Sequence, residues 1–244
     1  MTGHAQLKLT RTAGFSLDVA FDIPEDGVTA LFGPSGCGKT TVLRCIAGLE
    51  KARGRVVVAG RVWQDDAAGI FVPTYARRLG YVFQEASLFD HLNVRQNLEY
   101  GMKRIRDEDA AERLAHAVEL LGIGHLLERR TNELSGGERQ RCAIARSLAV
   151  KPTILLMDEP LASLDNARRR EILPWLEKLR KELSIPILYV THSEEEVERL
   201  ADRVVMLSQG RKTTEGPVKD VFASRRTVGT LSAVVVELIR ILHA

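Results

Sequence analysis

The sequence has few cysteines, no long hydrophobic run and no large excess of charge. Its three cysteines show no metal-ligand spacing, which argues against a zinc module or a disulfide framework and favours reduced thiols. No apolar run reaches the ~20 residues of a membrane-spanning helix, and the first ten residues lack the pattern of a secretory signal. The 35 basic and 32 acidic residues leave a net charge of +3, too small to indicate nucleic acid as the main partner.

The composition is otherwise that of a globular protein with a substantial core. Hydrophobic residues make up 45% of the 244 residues and charged residues 27%, both ordinary values. This length suits one domain, with room for a subdomain.

Apolar segments alternate with helical patterns along most of the chain. Residues 5–10 and 15–23 predict two N-terminal strands, and the second alternates apolar and polar positions with a period of two. Continuous apolar runs predict buried strands at 28–32, 79–83, 154–157 and 187–190, and 203–208 is predicted as the last strand. Between residues 93 and 150 the spacing is helical. The pattern predicts an α/β fold with a mainly parallel central sheet, N-terminal antiparallel strands and an inserted helical subdomain.

Residues 33–40 read G-x-x-x-x-G-K-T, the pattern of a phosphate-binding loop. The loop follows a predicted strand and precedes a predicted helix, so its backbone N–H groups and the helix N-terminus can surround an anion. Lys39 can reach the outer phosphates, and the Thr40 hydroxyl suits Mg²⁺. A merely flexible glycine-rich turn is the alternative, and the flanking strand and helix argue against it.

Polar residues follow three other predicted strands: Gln84, the pair Asp158-Glu159, and His192. Ligands of parallel sheets gather at the carboxyl ends of the strands, so these groups should share one edge with the phosphate loop. Two adjacent carboxylates at a buried edge favour a cation: Asp158 suits Mg²⁺, and Glu159, on the opposite side by strand alternation, suits activation of water. The alternative is a pair of solvated carboxylates at the entry to a loop.

Residues 134–140, Leu-Ser-Gly-Gly-Glu-Arg-Gln, predict a second anion site. Ser135 and Glu138 have the spacing of a capping box that begins a helix, and two glycines leave the first backbone N–H groups uncovered. The plain alternative is a well-capped helix, although adjacent glycines weaken a first turn. Because one phosphate-binding loop already exists, a second such site indicates that another copy of the chain completes it.

Together these motifs resemble the ATP-binding subunit of ABC transporters over residues 5–220. Residues 33–40 resemble the Walker A motif, Gln84 the Q-loop, 134–140 the signature motif, 154–159 Walker B and 163–165 the D-loop, with His192 as the switch histidine. The resemblance implies an ATPase of the P-loop NTPase fold with an ABC-type nucleotide-binding domain.

The resemblance also implies a role for each matching position. Glu159 would be the general base, His192 would contact the γ-phosphate, and Gln84 would touch Mg²⁺ or the water. Mg²⁺ would be held by Thr40, Gln84 and Asp158, and Asp165 would align the two sites of a dimer. The nucleotide would be bound by Gly33, Pro34, Ser35, Gly36, Cys37, Gly38, Lys39, Thr40 and Thr41, with Ser135, Gly136 and Gly137 reaching ATP held by the opposite subunit. Phe15 is the one candidate for stacking on adenine, and its strand pattern fits core packing equally.

Residues 60–84 resemble importer subunits for molybdate, and similar text occurs in importers for sulfate, iron and sugars. The expected partners are a second copy in a head-to-tail dimer around two ATP molecules, integral membrane permease subunits and, indirectly, a substrate-binding protein, with no nucleic acid. The expected location is the cytoplasmic face of the membrane.

We expect an ATP-binding domain over 1–223 with a helical subdomain at about 85–150, a helical tail over 224–244 and no regulatory domain. A soluble ABC ATPase acting on nucleic acid is the rival interpretation.

Overall fold

The computed structural model describes residues 3–11, 14–102 and 109–224. Within these ranges the strands are β1 (Gly3–Thr10), β2 (Ser16–Ile23), β3 (Val28–Phe32), β4 (Arg53–Val58), β5 (Arg61–Asp65), β6 (Ile70–Phe71), β7 (Leu79–Val82), β8 (Ile154–Asp158), β9 (Ile187–Thr191), β10 (Arg203–Ser208) and β11 (Arg211–Pro217). The helices are α1 (Lys39–Ala47), α2 (Val94–Met102), α3 (Ala110–Leu120), α4 (Gly136–Ala149), α5 (Asn166–Glu182) and α6 (Glu194–Leu200). Residues 218–224 are also helical.

The strands form one mixed sheet in the order β6-β5-β4-β1-β2-β11-β10-β3-β9-β8-β7. The strands from β10 to β7 in this order are all parallel. The strands β1, β2, β4, β5 and β6 pair antiparallel with one another, and β2 pairs parallel with β11. Every residue of β3, β8 and β9 is buried. Strands covered on both faces are apolar at most positions, which is why these sequences are near-continuous hydrophobic runs. Their polar residues Thr29, Asp158 and Thr191 are buried as well.

The two faces of the parallel strands contribute to two different cores. Leu31, Leu156 and Leu188 pack with α1 and the inner faces of β1, β2 and β4. Their neighbours Ala30 and Leu155 pack on the opposite side with the helices α2 to α5. Because successive side chains of a strand point to opposite faces, one sheet holds α1 on one side and the longer helices on the other.

The helices α2, α3 and α4 lie between β7 and β8, where the sequence predicts helical structure. The capping box at the start of α4 is present: the Glu138 backbone N–H donates to Ser135 Oγ, and the Ser135 N–H donates to the Glu138 carboxylate at 2.7 Å. These two bonds satisfy backbone groups that a helix start leaves unpaired. Residues 225–244, where a helical tail is predicted, lie outside the described residues.

One expectation about the sheet is wrong: β10 is not the last strand. The chain turns at Gln209 and Gly210, both with positive φ, and returns antiparallel as β11. The segment Arg211–Pro217 is polar and has no apolar alternation, so pairing with its neighbours in the sheet, and not its own pattern, makes it a strand. Among the described residues, none of the helices combines the length and the apolar composition that spanning a membrane requires.

Candidate nucleotide site

The phosphate loop runs from the end of β3 to the start of α1. Gly38 is the N-cap of α1 with φ 106°, and no side chain caps the helix there. The first backbone N–H groups of α1 therefore have no side-chain acceptor, a geometry that fits an anion. At Gly36, with φ 78°, a Cβ would meet nothing within 4 Å, so the loop is open on that side.

Contacts with the β10–β11 hairpin hold the loop from behind. A Cβ on Gly33 would lie 2.2 Å from the carbonyl oxygen of Leu207, so only glycine allows this approach. The backbone N–H of Gly210 donates to the carbonyl oxygen of Cys37 at 3.0 Å. On the other side the ring of Phe15 packs against Gly38 and lies under the guanidinium of Arg11, 5.5 Å from its centroid. The stacking of Phe15 on a base therefore stays a prediction.

Lys39 is buried in the loop, with a side chain only 3% exposed. Its Nζ donates to the carbonyl oxygens of Gly33 and Pro34, at 2.8 and 3.0 Å, and lies 3.7 Å from Oε1 of Glu159. A buried ammonium without a full counter-charge carries a desolvation cost. A bound phosphate group supplies that charge, so the position of Lys39 fits a polyphosphate ligand.

Asp158 ends β8 next to the first turn of α1. Its carboxylate accepts hydrogen bonds from Thr40 Oγ1 at 2.7 Å and from the hydroxyl of Tyr81 at 3.2 Å. Burial raises the pKa of Asp158, and the two hydroxyl donors only partly oppose that effect. Both hydrogen bonds come from uncharged groups, so the carboxylate still favours a cation. A hydroxyl and a carboxylate in contact form a donor set that fits Mg²⁺, which takes one or two protein ligands besides phosphates.

Glu159 lies just beyond β8 and contacts different groups from those of Asp158. Its Oε2 is 3.2 Å from Nδ1 of His192, and its Oε1 faces Lys39. The two carboxylates do separate, but strand alternation is the wrong reason: Glu159 has φ 45° and has left the extended conformation. A non-glycine residue in the left-handed region carries strain of about 1–3 kcal/mol, which recurs at functional sites.

His192 is held by the loop between β9 and α6. Thr191 Oγ1 donates to the buried carboxylate of Glu196 at 2.7 Å, and accepts from the Ser193 backbone N–H at 3.0 Å. The hydroxyl of Tyr189 donates to the same carboxylate at 2.9 Å. These bonds fix the turn that carries His192 while leaving its ring half exposed beside Glu159.

The structure thus brings together five of the residues that the sequence singles out: Lys39, Thr40, Asp158, Glu159 and His192. Gln84 and Ser135 are exposed, and in the described part of the chain neither side chain contacts this group. Two residues that support this group, Tyr81 and Glu196, are not among those that the sequence singles out. Tyr81 has a readable signal, because it lies in a predicted strand. The Ser193–Glu196 spacing marks the start of α6, but it does not indicate that the Glu196 carboxylate accepts from Tyr189 and Thr191.

A strand, a glycine-rich loop and a helix that enclose a buried lysine, with a carboxylate on the first helical hydroxyl, define a P-loop nucleotide-binding protein. A family model described as ABC transporter matches residues 17–162. The chain belongs to this family, whose members bind ATP with Mg²⁺.

Two relatives with similar sequences are molybdenum import ATP-binding proteins. The chain is 61% identical over 215 residues to the molybdenum import ATP-binding protein ModC 1 of Azotobacter vinelandii, covering 86% of this chain and 59% of the relative. It is 63% identical over 211 residues to the molybdenum import ATP-binding protein ModC of Thiobacillus denitrificans, covering 86% and 58%. The chain therefore spans less than two thirds of the length of these relatives.

The fold is similar to that of a solved ATP-binding cassette, a dimer in a post-hydrolysis state bound to ADP and Pi. The TM-score is 0.72 at 28% identity, with 89% of this chain and 99% of the other covered.

Proposed function

We propose that the chain is an Mg²⁺-dependent ATPase subunit that powers an ABC importer for molybdate or a related oxyanion. The observation that carries the ATPase assignment is the pair of contacts Thr40–Asp158 and Glu159–His192 on either side of the buried Lys39. The Thr40–Asp158 contact supplies a place for a divalent cation. The Glu159–His192 contact supplies a carboxylate beside the terminal phosphate.

Each residue then has one task. Lys39 and the backbone of residues 33–41 bind the phosphates. Thr40 and Asp158 hold the cation, and Gln84 touches the cation or the water. Glu159 orients the attacking water and accepts its proton, and His192 holds the γ-phosphate beside it. Mg²⁺, when bound, neutralises charge that develops on the phosphates during transfer.

Two copies of the chain form the complete site. The helix start has Ser135 exposed, Gly136 half-buried and Gly137 buried, and Ser135 is already fixed by the capping box. Among the described residues, it contacts no group of the chain's own phosphate loop. In a head-to-tail pair it reaches the γ-phosphate bound to the opposite copy, with Asp165 aligning the two halves. The dimeric state of the solved cassette supports this arrangement.

The oxyanion assignment is supported by the names of the relatives that match 86% of this chain. We place the subunit at the cytoplasmic face of the cell membrane, held there by permease subunits that a substrate-binding protein supplies with solute. The ATP-binding domain spans residues 1–223, and its helical subdomain corresponds to the segment between β7 and β8. A comparable importer for sulfate, iron or a sugar is the competing assignment.

Hydrolysis and pairing test the ATPase proposal together. Glu159→Gln should lower the rate of ATP hydrolysis by about 10²–10⁴-fold, the usual contribution of a general base. The same variant should form an ATP-dependent dimer by size-exclusion chromatography with light scattering, while wild type with ADP stays monomeric. Unchanged hydrolysis would overturn the role of Glu159, and a variant that stays monomeric with ATP, even with the permease present, would overturn the shared site.

The solute is tested with the complete transporter. Proteoliposomes that contain the chain, its permease and the binding protein should hydrolyse ATP faster when molybdate is added. Sulfate, ferric iron and maltose serve as the alternative additions. Stimulation by one of these and not by molybdate would assign a different importer while leaving the ATPase proposal intact.

A further inference from the structure

We propose that Arg169 is a positioning residue that sets the geometry of the loop from Glu159 to Asp165, and through it the candidate base. The inference rests on the proposed ATPase function for its effect on turnover. Its structural part, that one guanidinium holds this loop, stands on geometry alone.

The guanidinium of Arg169 donates to three carbonyl oxygens of one short segment. Nε donates to Leu161 at 3.1 Å and to Leu164 at 3.0 Å, and Nη2 donates to Ala162 at 3.4 Å. Arg169 itself belongs to the first turns of α5, where its backbone N–H donates to the carbonyl of Asp165. A single planar group therefore ties the whole loop to the helix that follows it.

One of these carbonyl groups, that of Leu161, also belongs to the turns that shape the loop. The N–H of Ala162 donates to the carbonyl of Glu159 at 3.1 Å, and the N–H of Leu164 donates to the carbonyl of Leu161 at 3.1 Å. Glu159 sits at the start of this chain of turns with φ 45°. A left-handed glutamate persists only when its surroundings impose that conformation, and the Ala162–Glu159 turn is one such constraint.

Burial explains why an arginine is needed at this point. Leu161 is fully buried and Leu164 is 7% exposed, so both anchor the loop in the core and their carbonyls cannot rely on water. Ser163 and Asp165, between and beyond them, are exposed. Arg169 thus fixes the inner side of a loop whose outer side is presented to a second copy. Without the guanidinium, three inward carbonyls lose a charged donor and the loop is expected to shift.

The test compares Arg169→Met with Arg170→Met. Arg170 is the next residue of α5, carries the same charge and is exposed, so it controls for the loss of one positive charge from this helix. Amide hydrogen exchange is measured at Ala162 and Leu164 in the nucleotide-free proteins. Exchange should be faster in R169M by about tenfold or more and unchanged in R170M, because the loop opens more often without its donor.

Turnover supplies the second measurement. In R169M the kcat for ATP hydrolysis should fall about 10- to 100-fold, since a displacement of about 1 Å at a catalytic group has an effect of that size. The KM and the affinity for ATP should stay within about twofold, because the phosphate loop is untouched. Arg169→Lys keeps the charge but loses the fork of donors, so its kcat should lie between those of wild type and R169M.

The outcomes separate this inference from the proposed function. If wild type does not hydrolyse ATP, the proposed function fails, and the exchange rates still decide whether Arg169 holds the loop. If wild type hydrolyses ATP and R169M matches R170M in both kcat and exchange, the inference is wrong. A fall in kcat together with an equal loss of ATP affinity in R169M and R169K would also overturn it, because a general structural role predicts that result.

Discussion

Nζ of Lys39 lies 3.7 Å from Oε1 of Glu159, inside a loop where the lysine is almost fully buried. The two residues are 120 positions apart in the sequence: Lys39 begins α1 after the phosphate loop, and Glu159 lies just beyond β8. The contact is longer than a hydrogen bond, and Lys39 makes its hydrogen bonds to carbonyl oxygens of its own loop. The lysine is thus held in place before a phosphate binds and has a charge available for it.

Lys39→Met tests this preorganised charge. Methionine is similar in length and apolar, so the buried site should still pack, but the charged donor is lost. We expect the affinity for ATP to fall about 10- to 100-fold, the range of one hydrogen bond to a charged group. A fluorescent ATP analogue in an equilibrium titration measures it. Lys178→Met, on the exposed face of α5, is the control, and equal affinities in the two variants would contradict the role of Lys39.

Asp158→Asn should stabilise the protein when no ligand is bound. Burial raises the pKa of Asp158, which means that the ionised carboxylate is unfavourable in the folded state. Asparagine can accept from Thr40 and donate to the oxygen of Tyr81, so both contacts survive. In EDTA at pH 7 we expect a gain of about 0.5–2 kcal/mol in unfolding free energy, the usual range of a single stabilising substitution.

The same substitution should abolish Mg²⁺-dependent hydrolysis. Asp26→Asn, at an exposed turn, is the matched control. It should change neither the unfolding free energy nor the rate of Mg²⁺-dependent hydrolysis. Urea unfolding and an ATPase assay measure them. A destabilised D158N protein would show that the carboxylate supports the fold and is not held there for a cation.

Gly210→Ala should damage both stability and nucleotide binding. The residue has φ 74°, and an added Cβ would lie 1.8 Å from the carbonyl oxygen of Ser16, so the turn must move. We expect a loss greater than the about 1–2 kcal/mol of a left-handed backbone, because the clash adds to that cost. The movement should also weaken the bond from its N–H to Cys37 and lower the affinity for ATP.

Gly69→Ala is the control for the backbone effect. Gly69 has φ 66° but a Cβ there would meet nothing within 4 Å, so only the left-handed conformation is penalised, by about 1–2 kcal/mol. Thermal unfolding and ATP titration of both variants separate the two effects. If G69A lowered ATP affinity as much as G210A, the hairpin would not be what supports the phosphate loop.

The contribution of Glu138 to stability should depend on pH. The hydrogen bond from the Ser135 backbone lowers the pKa of Glu138 below its usual value of 4.5. A lowered folded-state pKa means that the stabilisation is complete above about pH 4.5 and is lost as the pH falls through the folded-state pKa. Glu138→Gln should therefore cost about 0.3–1 kcal/mol at pH 7, the scale of a charge at a helix start.

Urea unfolding of wild type and E138Q from pH 7 to pH 3.5 measures the difference, which should narrow only below about pH 4.5. Glu171→Gln, exposed on α5, is the control for the loss of one negative charge from a helix. A constant difference across the range would mean that Glu138 acts through packing and not through its charge.

The sequence predicts much of this fold because its signals are local. Three apolar runs predict β3, β8 and β9, since a strand buried on both faces is apolar at most positions. The Ser135–Glu138 spacing predicts the start of α4, because a capping box needs only four consecutive residues. By contrast, β11 is polar, and its strand geometry depends on pairing partners that are distant in sequence.

The sequence by itself determined which chemical groups this protein has and where each stands along the chain: the phosphate loop, the residues that follow the strands and the glycine-rich helix start. Only the tertiary structure decided which of them meet: Thr40 with Asp158, Glu159 with Lys39 and His192, and Arg169 with the loop beside the candidate base. Motifs are read from neighbours in the chain, whereas these contacts depend on strand order in the sheet and on the left-handed turn at Glu159, which no local spacing specifies.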